Sequence, residues 1–162
     1  PNDRIAAEAG IETANGILVD DREQSSDPNV YAVGDCAVFD WKGQKIRLES
    51  VQNAVDQAEA AAGNLAGVSL PYRPKPWFWS DQYDVKLQIA GFNLGYDETV
   101  VRPGARDCSL SIWYFHAGEF IAVDAINDAK AYVTGKKLLD MGRPVDRATI
   151  ADPALDLKTL IA

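Results

Sequence analysis

A proline-rich segment near the middle of the chain, residues 70–76, constrains the fold more than any other feature of the sequence. Prolines occupy positions 71, 74 and 76 of this segment. Because proline has no amide donor and a fixed φ, neither a continuous helix nor a central strand can cross it. The apolar pattern has a helical period before the segment and a period of two after it. The segment therefore predicts a boundary between two differently built parts.

The first part is predicted to be an incomplete α/β unit. Its clearest element is a helix at residues 50–65, with Ser50 or Glu49 as the N-cap and Gly67 as the stop. Seven apolar residues recur at helical spacing and predict its packed face: Val51, Ala54, Val55, Ala58, Ala61, Ala62 and Leu65. Short strands are expected at residues 16–20 and 30–33, and a loop at residues 36–49. Two short strands and one helix cannot close a doubly wound sheet.

The second part, residues 77–162, is predicted to be a complete small α+β domain. Residues 85–90 alternate between apolar and polar, residues 99–102 form another short strand, and residues 110–123 read as a hairpin around Ala117 and Gly118. Helices are expected at residues 128–141 and 153–161. Strands followed by helices favour an antiparallel sheet with helices beside it.

Composition excludes several classes of function. A net charge of −8 disfavours binding to nucleic acid, which depends on neutralising phosphates. No apolar run reaches the roughly 18 residues that a membrane span needs. His116 is the only histidine and no CxxC occurs, so no metal site is expected. Cys36 and Cys108 lie far apart and fit free thiols in a cytoplasmic protein better than a disulfide.

Two short stretches are candidates for ligand binding. Gly34 allows a close approach to the backbone, and Asp35 follows the buried strand predicted at residues 30–33, at the carboxyl end where open α/β sheets bind ligands. Its carboxylate could accept hydrogen bonds from a polyol, or could simply cap a turn. The start of the helix at residue 51 could stabilise an anion, such as the N1–C2=O edge of reduced flavin, or could be an ordinary capped end.

Four stretches together resemble a known family. They are TANGILVD at residues 13–20, SDPNVYAVGDCA at 26–37, RLESVQNA at 47–54 and PWFWSDQYD at 76–84. The chain resembles the C-terminal part of the FAD-dependent, NADH-using ferredoxin reductases that serve bacterial oxygenase systems. No single stretch is specific, but the four in this order are.

The resemblance implies both a fold and a function. The implied fold is an α/β fragment of a flavoprotein with two dinucleotide-binding domains, followed by an α+β C-terminal domain with an antiparallel sheet and helices. Residues 1–76 would be the C-terminal segment of the FAD-binding domain, and residues 77–162 the C-terminal reductase domain. The whole protein would pass electrons from NADH through FAD to a [2Fe–2S] ferredoxin. No side chain is implied to be catalytic, because the flavin carries the chemistry.

The resemblance also implies where the cofactor binds. Asp35 would bind the ribityl chain of FAD, and the helix start at residues 51–53 would lie under the pyrimidine end of the flavin. In an extended stretch Trp77 and Trp79 share one face, and Trp79 is favoured beside the isoalloxazine; an aromatic core cluster is the alternative. The implied cofactor-binding residues are Gly34, Asp35, Val51, Gln52, Asn53, Trp77 and Trp79.

The chain departs from the family pattern in one respect. It carries no G-x-G-x-x-G fingerprint, so the ADP and nicotinamide sites are missing and the chain resembles roughly the last two-fifths of such a protein. Alone, it is expected to be inactive.

Two alternatives remain open. One is a non-catalytic docking or dimerisation module, including a homodimer, and the other is a flavoprotein of the rubredoxin or nitrite reductase type. A basic group is a candidate docking surface for the ferredoxin, or else a solvated surface: Lys42, Lys45, Arg47, Arg73 and Lys75.

Overall fold

The proline-rich segment leads into the boundary between two units in the computed structural model, which describes residues 1–162. The first unit spans Pro1–Lys75 and the second Pro76–Ala162. Each unit is built around its own elements and is described separately below. No helix in either unit is both long and apolar enough to span a bilayer.

The first unit contains two α-helices and a small mixed sheet. The sheet has the order β1-β2-β3, with β1 parallel to β2 and β2 antiparallel to β3. A 3₁₀ turn, Gly34–Cys36, precedes β2. The elements are α1 (Arg4–Glu8), β1 (Ile17–Leu18), β2 (Ala37–Trp41), β3 (Gln44–Ile46) and α2 (Val51–Leu65).

The strand predicted at residues 30–33 is wrong. Within that stretch only Tyr31 pairs, in an isolated bridge with Gln24, and the true strand begins at Ala37. Gly34 has a φ of +74° and turns the chain before β2 begins. The loop predicted at residues 36–49 is also wrong, since β2 and β3 form a hairpin there. Strand β2 shows no apolar–polar alternation in the sequence because residues 37–39 are all buried.

Helix α2 forms where it was predicted, but it buries a different face. Its N-cap is Ser50, whose Oγ accepts a hydrogen bond from the Asn53 amide at 3.1 Å. The buried residues are Asn53, Gln57 and Ala61, whereas Val51 is 65% exposed. Two amides therefore lie on the buried face, whereas Val51, Val55 and Leu65 of the predicted face are exposed.

The second unit is a five-stranded antiparallel sheet with helices on one face. Its strand order is β4-β5-β8-β7-β6, so β4 and β6 are the edge strands. The strands are β4 (Trp77–Gln82), β5 (Val85–Gly91), β6 (Glu98–Pro103), β7 (Leu110–His116) and β8 (Glu119–Ile126). They are followed by α3 (Ala129–Met141), α4 (Arg147–Ala151) and a 3₁₀ helix, Leu157–Ile161.

The core of the second unit lies between the sheet and these helices. Asp128 caps α3 by accepting from the Ala131 amide, and Gly142 ends α3 in the left-handed region. The predicted hairpin is confirmed by β7 and β8, and the helix predicted at 128–141 by α3. Helix α4 was not predicted, and the last helix is shorter than expected. Nine buried residues form the core: Ala90, Trp113, Phe115, Val123, Ala125, Ala131, Leu138, Ile150 and Leu157.

Candidate functional site

The 3₁₀ turn carries the first predicted site residues and lies directly against α2. A Cβ built on Gly34 would lie 3.3 Å from the Cβ of Ala54, so glycine permits this close approach. Asp35 follows on the exposed side of the turn, and its carboxylate has no hydrogen-bond or ion-pair partner within the chain. Its backbone carbonyl accepts from Nη1 of Arg47 at 2.8 Å. The turn thus presents an unpaired carboxylate to solvent beside the start of α2.

The first turn of α2 presents its three predicted residues differently. Val51 points into solvent, and the Nε2 of Gln52 donates to Oδ1 of Asp56 one turn later at 2.6 Å. Asn53 points inward and is only 5% exposed. The amide groups at the beginning of a helix have no intrahelical acceptor and carry a partial positive charge. This end of α2 can therefore stabilise an anionic edge through its backbone amides. The Asn53 side chain instead makes hydrogen bonds inside the unit.

Behind the turn and the helix start lies a buried polar network that sequence reasoning missed. The Oε1 atom of Gln57 accepts from the Gly34 amide at 2.7 Å and from Nδ2 of Asn53 at 2.9 Å. The Nε2 atom of Gln57 donates to Oε2 of Glu23 at 3.1 Å. The hydroxyl of Tyr72 donates to Oδ1 of Asn53 at 2.9 Å. One amide side chain thus links the turn, the helix and the segment around residue 23.

The electrostatics of this network are dominated by burial. Glu23 is fully buried, and loss of water raises the pKa of its carboxyl to about 8, with smaller contributions from the carboxylates of Asp20 and Asp21. Its hydrogen bond from Gln57 acts in the opposite direction. Burial also raises the pKa of Tyr72 well above its ordinary value. Near neutral pH the interior of the network is therefore largely uncharged.

One sequence signal could have revealed Gln57. It lies four residues after Asn53, so the two amides share one face of α2. A helix face with two amides amid alanines indicates buried hydrogen bonding, because an unpaired buried amide is costly. Glu23 gives no comparable signal, since it stands in a polar loop between Arg22 and Gln24.

The tryptophans lie in the second unit, on the edge strand β4. Trp77 and Trp79 share one face with ring centroids 5.4 Å apart and planes 26° from parallel, as the extended pattern predicted. The Nζ of Lys136 lies 4.9 Å from the Trp77 ring centroid, a cation–π geometry. Trp79 is 41% exposed. The pair therefore forms an open aromatic platform rather than part of the core.

The basic residues of the candidate docking surface differ in their contacts and exposure. Arg47 is engaged with the Asp35 carbonyl and with the Glu49 carboxylate at 2.5 Å. Lys42 lies over the Trp41 ring at 5.4 Å, on the exposed hairpin that also carries Lys45. Arg73 is exposed. Lys42, Lys45 and Arg73 are therefore the accessible members of the group.

Comparison with known proteins gives two family matches that together cover most of the chain. Residues 77–161 match the family described as "Reductase C-terminal". Residues 1–58 match the family described as "Pyridine nucleotide-disulphide oxidoreductase". The two matches fall in the two structural units described above.

Individual relatives support the same assignment. Rhodocoxin reductase of Rhodococcus erythropolis is 42% identical over 164 residues, which cover 100% of this chain and 38% of that protein. The crystal structure of a ferredoxin reductase from Rhodopseudomonas palustris superposes with a TM-score of 0.91 at 44% identity, covering 100% of this chain and 41% of the other. Putidaredoxin reductase in its covalent complex with putidaredoxin superposes with a TM-score of 0.89 at 36% identity, covering 99% and 39%.

These matches bear out the resemblance drawn from the four stretches and the fold class that it implied. The chain spans about two-fifths of the length of the relatives it matches. An incomplete α/β unit followed by an antiparallel sheet with helices is the arrangement that they share with it over this region. The chain belongs to the reductase C-terminal family.

Proposed function

We propose that this chain is part of a flavoprotein oxidoreductase that passes electrons from NADH through FAD to a [2Fe–2S] ferredoxin serving an oxygenase. Residues 1–76 form the C-terminal segment of its FAD-binding domain, and residues 77–162 its C-terminal reductase domain. The observation that carries the proposal is the unpaired Asp35 carboxylate beside the start of α2, in a chain whose relatives are ferredoxin reductases. The free thiols Cys36 and Cys108 fit a cytoplasmic protein.

The residues present fit the flavin half of FAD. The exposed carboxylate of Asp35 can accept hydrogen bonds from ribityl hydroxyls, and the first amides of α2 can donate to the pyrimidine edge. Gly34 keeps the turn close enough to α2 for both contacts to serve one ligand. When bound, the flavin would accept hydride from NADH and release electrons singly. The chain's own residues bind, orient and shield this cofactor.

The aromatic platform of β4 fits a contact surface for a partner protein. Trp79 is exposed, and Trp77 is held by the Lys136 ammonium on its ring face. Large rigid rings of this kind exclude water and form contact surfaces in protein interfaces. A solved complex of putidaredoxin reductase with putidaredoxin supports a ferredoxin as the partner.

A second candidate function is a non-catalytic docking or dimerisation module. The second unit has its own core, and the sheet face opposite the helices exposes Phe78, Val85 and Val101. These residues could support a homodimer. Sedimentation of a fragment of residues 77–162 tests this candidate, and an unfolded or aggregated fragment would exclude it.

Removing the Asp35 carboxylate should weaken FAD binding. In the full-length protein, Asp35→Asn should raise the Kd for FAD by about tenfold or more, because a charge-assisted hydrogen bond to the cofactor is weakened. Flavin fluorescence quenching during titration of the apoprotein measures the Kd. The matched control is Glu59→Gln, which removes an equal charge from the exposed surface of α2. Equal Kd values for the two variants would remove Asp35 from the site.

Reversing the accessible basic charges should weaken recognition of an acidic ferredoxin. The triple variant Lys42→Glu, Lys45→Glu, Arg73→Glu should raise the KM for ferredoxin several-fold at low salt, with kcat little changed. Steady-state reduction of the ferredoxin by NADH measures both constants. Lys158→Glu, an exposed position in the second unit, controls for the effect of a single charge reversal away from the group. A KM that does not change at low ionic strength would count against this docking surface.

A further inference from the structure

We propose that Gln57, backed by the buried carboxyl of Glu23, is a positioning residue that fixes the spacing between the Gly34–Asp35 turn and the first turn of α2. This inference rests on the proposed function, because it concerns the two elements assigned to the flavin. Gln57 is fully buried and is set one helical turn behind Asn53. It acts on the cofactor only through the groups that it holds.

The orientation of both amides is fixed by backbone groups. A backbone N–H can only donate, so the atom of Gln57 that faces Gly34 must be its oxygen, Oε1. A backbone carbonyl can only accept, so the atom of Asn53 that faces Leu48, at 3.1 Å, must be its nitrogen, Nδ2. The same Nδ2 donates to the Gln57 oxygen. Neither amide can flip without breaking a buried hydrogen bond.

This orientation of the Gln57 amide requires a buried hydrogen-bond acceptor next to its nitrogen. With its oxygen committed to Gly34 and Asn53, its Nε2 needs a buried acceptor, and Oε2 of Glu23 provides it at 3.1 Å. The other carboxyl oxygen, Oε1 of Glu23, is buried and has no partner. The segment that carries Glu23 is tied to residue 32, because the Ala32 amide donates to the Glu23 carbonyl at 3.1 Å. Glu23 thus braces Gln57 from the side opposite the turn.

The network bears on ligand geometry because Asp35 is adjacent to Gly34. The Gly34 amide is held at 2.7 Å from Gln57, and the next residue carries the exposed carboxylate. Without this hydrogen bond, the turn keeps two side-chain hydrogen bonds, from Arg47 to the Asp35 carbonyl and from the Cys36 thiol to the Val33 carbonyl. Small displacements of a binding group lower affinity and alter the field at a cofactor, since hydrogen bonds depend steeply on geometry.

The test uses the full-length protein with FAD and three variants. Gln57→Leu removes the amide at similar volume. The exchange variant Glu23→Gln with Gln57→Glu reverses the amide and the carboxyl, so that every hydrogen bond can re-form. Gln44→Leu, an exposed amide on β3, is the matched control. The readouts are the Kd for FAD and the flavin midpoint potential, both measured where circular dichroism shows each variant to be folded.

We expect Gln57→Leu to raise the Kd about tenfold and to shift the midpoint potential, and the exchange variant to return the Kd to within about threefold of wild type. Gln44→Leu should match wild type. A folded Gln57→Leu variant with wild-type Kd and potential would overturn the assignment. An exchange variant that does not fold, or that does not regain affinity for FAD, would also overturn the assignment. If Gln57→Leu is unfolded, the exchange variant alone provides the test. Wild-type protein without FAD would instead overturn the proposed function itself.

Discussion

Replacing Arg102 by methionine should destabilise the second unit by about 3–5 kcal/mol, a value typical of uncoupling a buried charged group from its partners. Arg102 is 7% exposed. Its guanidinium donates to four backbone carbonyls: those of Ile150 at 2.8 Å, Asp152 at 2.5 Å, Pro153 at 3.4 Å and Leu155 at 2.6 Å. Methionine fills the space of the side chain but removes these donors from the Ile150, Pro153 and Leu155 carbonyls, whereas the Asp152 carbonyl still accepts from the Leu155 amide at 3.2 Å.

The effect is large because these carbonyls belong to the segment that closes the core. They run from the last turn of α4, where Ile150 is fully buried, toward the 3₁₀ helix that buries Leu157. No helix or strand supplies donors to this connection, so one side chain from the edge strand β6 does so instead. Arg102→Lys should be nearly as harmful, because an ammonium is a point donor and cannot span four acceptors.

Urea unfolding followed by tryptophan fluorescence measures the loss. Three of the four tryptophans, Trp77, Trp79 and Trp113, lie in the second unit, so the signal reports mainly on that unit. Arg106→Met is the control, because Arg106 is exposed and makes one long hydrogen bond to the Asn127 carbonyl at 3.4 Å. If Arg102→Met and Arg106→Met unfolded at the same urea concentration, the carbonyl cluster would not hold the segment.

The second unit was more predictable than the first for a physical reason. Its strands have one covered face, so Leu110–His116 and Glu119–Ile126 pair around a two-residue turn with the expected signature. Its main helix has a capping aspartate and a stopping glycine. Local sequence and tertiary packing agree at each of these points.

In the first unit the local pattern fits more than one structure. Four apolar residues at 30–33 suit a buried strand or a buried loop. The positive φ of Gly34 favours the loop, but the sequence does not show that this glycine adopts it. Helix α2 is so rich in alanine that its apolar face is poorly defined. Burial of Gln57 was therefore decided by the partners that it meets, Gly34 and Glu23, which lie far away in sequence.

The candidate site divides in the same way. Asp35 and the start of α2 were candidates from their local sequence, the resemblance to a known family favoured the ligand-binding interpretation, and Asp35 is exposed beside α2. Arg102 and Glu23 could not be identified, since nothing in their neighbouring residues shows that they are buried. Long-range hydrogen bonds to backbone groups leave no local pattern.

Replacing Glu23 by glutamine should remove most of the pH dependence of stability in the first unit. The carboxyl of Glu23 has a pKa of about 8 in the folded chain, against an ordinary value of 4.5, because burial disfavours its charged form. Between these values the folded chain holds a proton that the unfolded chain has released. The contribution of Glu23 to the free energy of unfolding is therefore fully present below pH 4.5 and falls by roughly 5 kcal/mol as the pH rises to about 8.

Glutamine keeps the acceptor for Nε2 of Gln57 and has no proton to lose. The variant should resemble wild type near pH 4.5 and exceed its stability by a few kcal/mol at pH 9. Hydrogen exchange of the α2 amides, corrected for intrinsic rates, measures this difference within the first unit, and Glu59→Gln on the exposed surface of α2 serves as the control.

Carbon-13 NMR of the Glu23 carboxyl gives its pKa directly. A value near 4.5 would show that water or a cation reaches the buried oxygen Oε1, and that the carboxyl is ionised at neutral pH. A value near 8 would mean that Gln57 rests on a neutral acid. In that state the network adds little negative charge behind the turn that carries Asp35, and deprotonation above pH 8 would place a buried charge there.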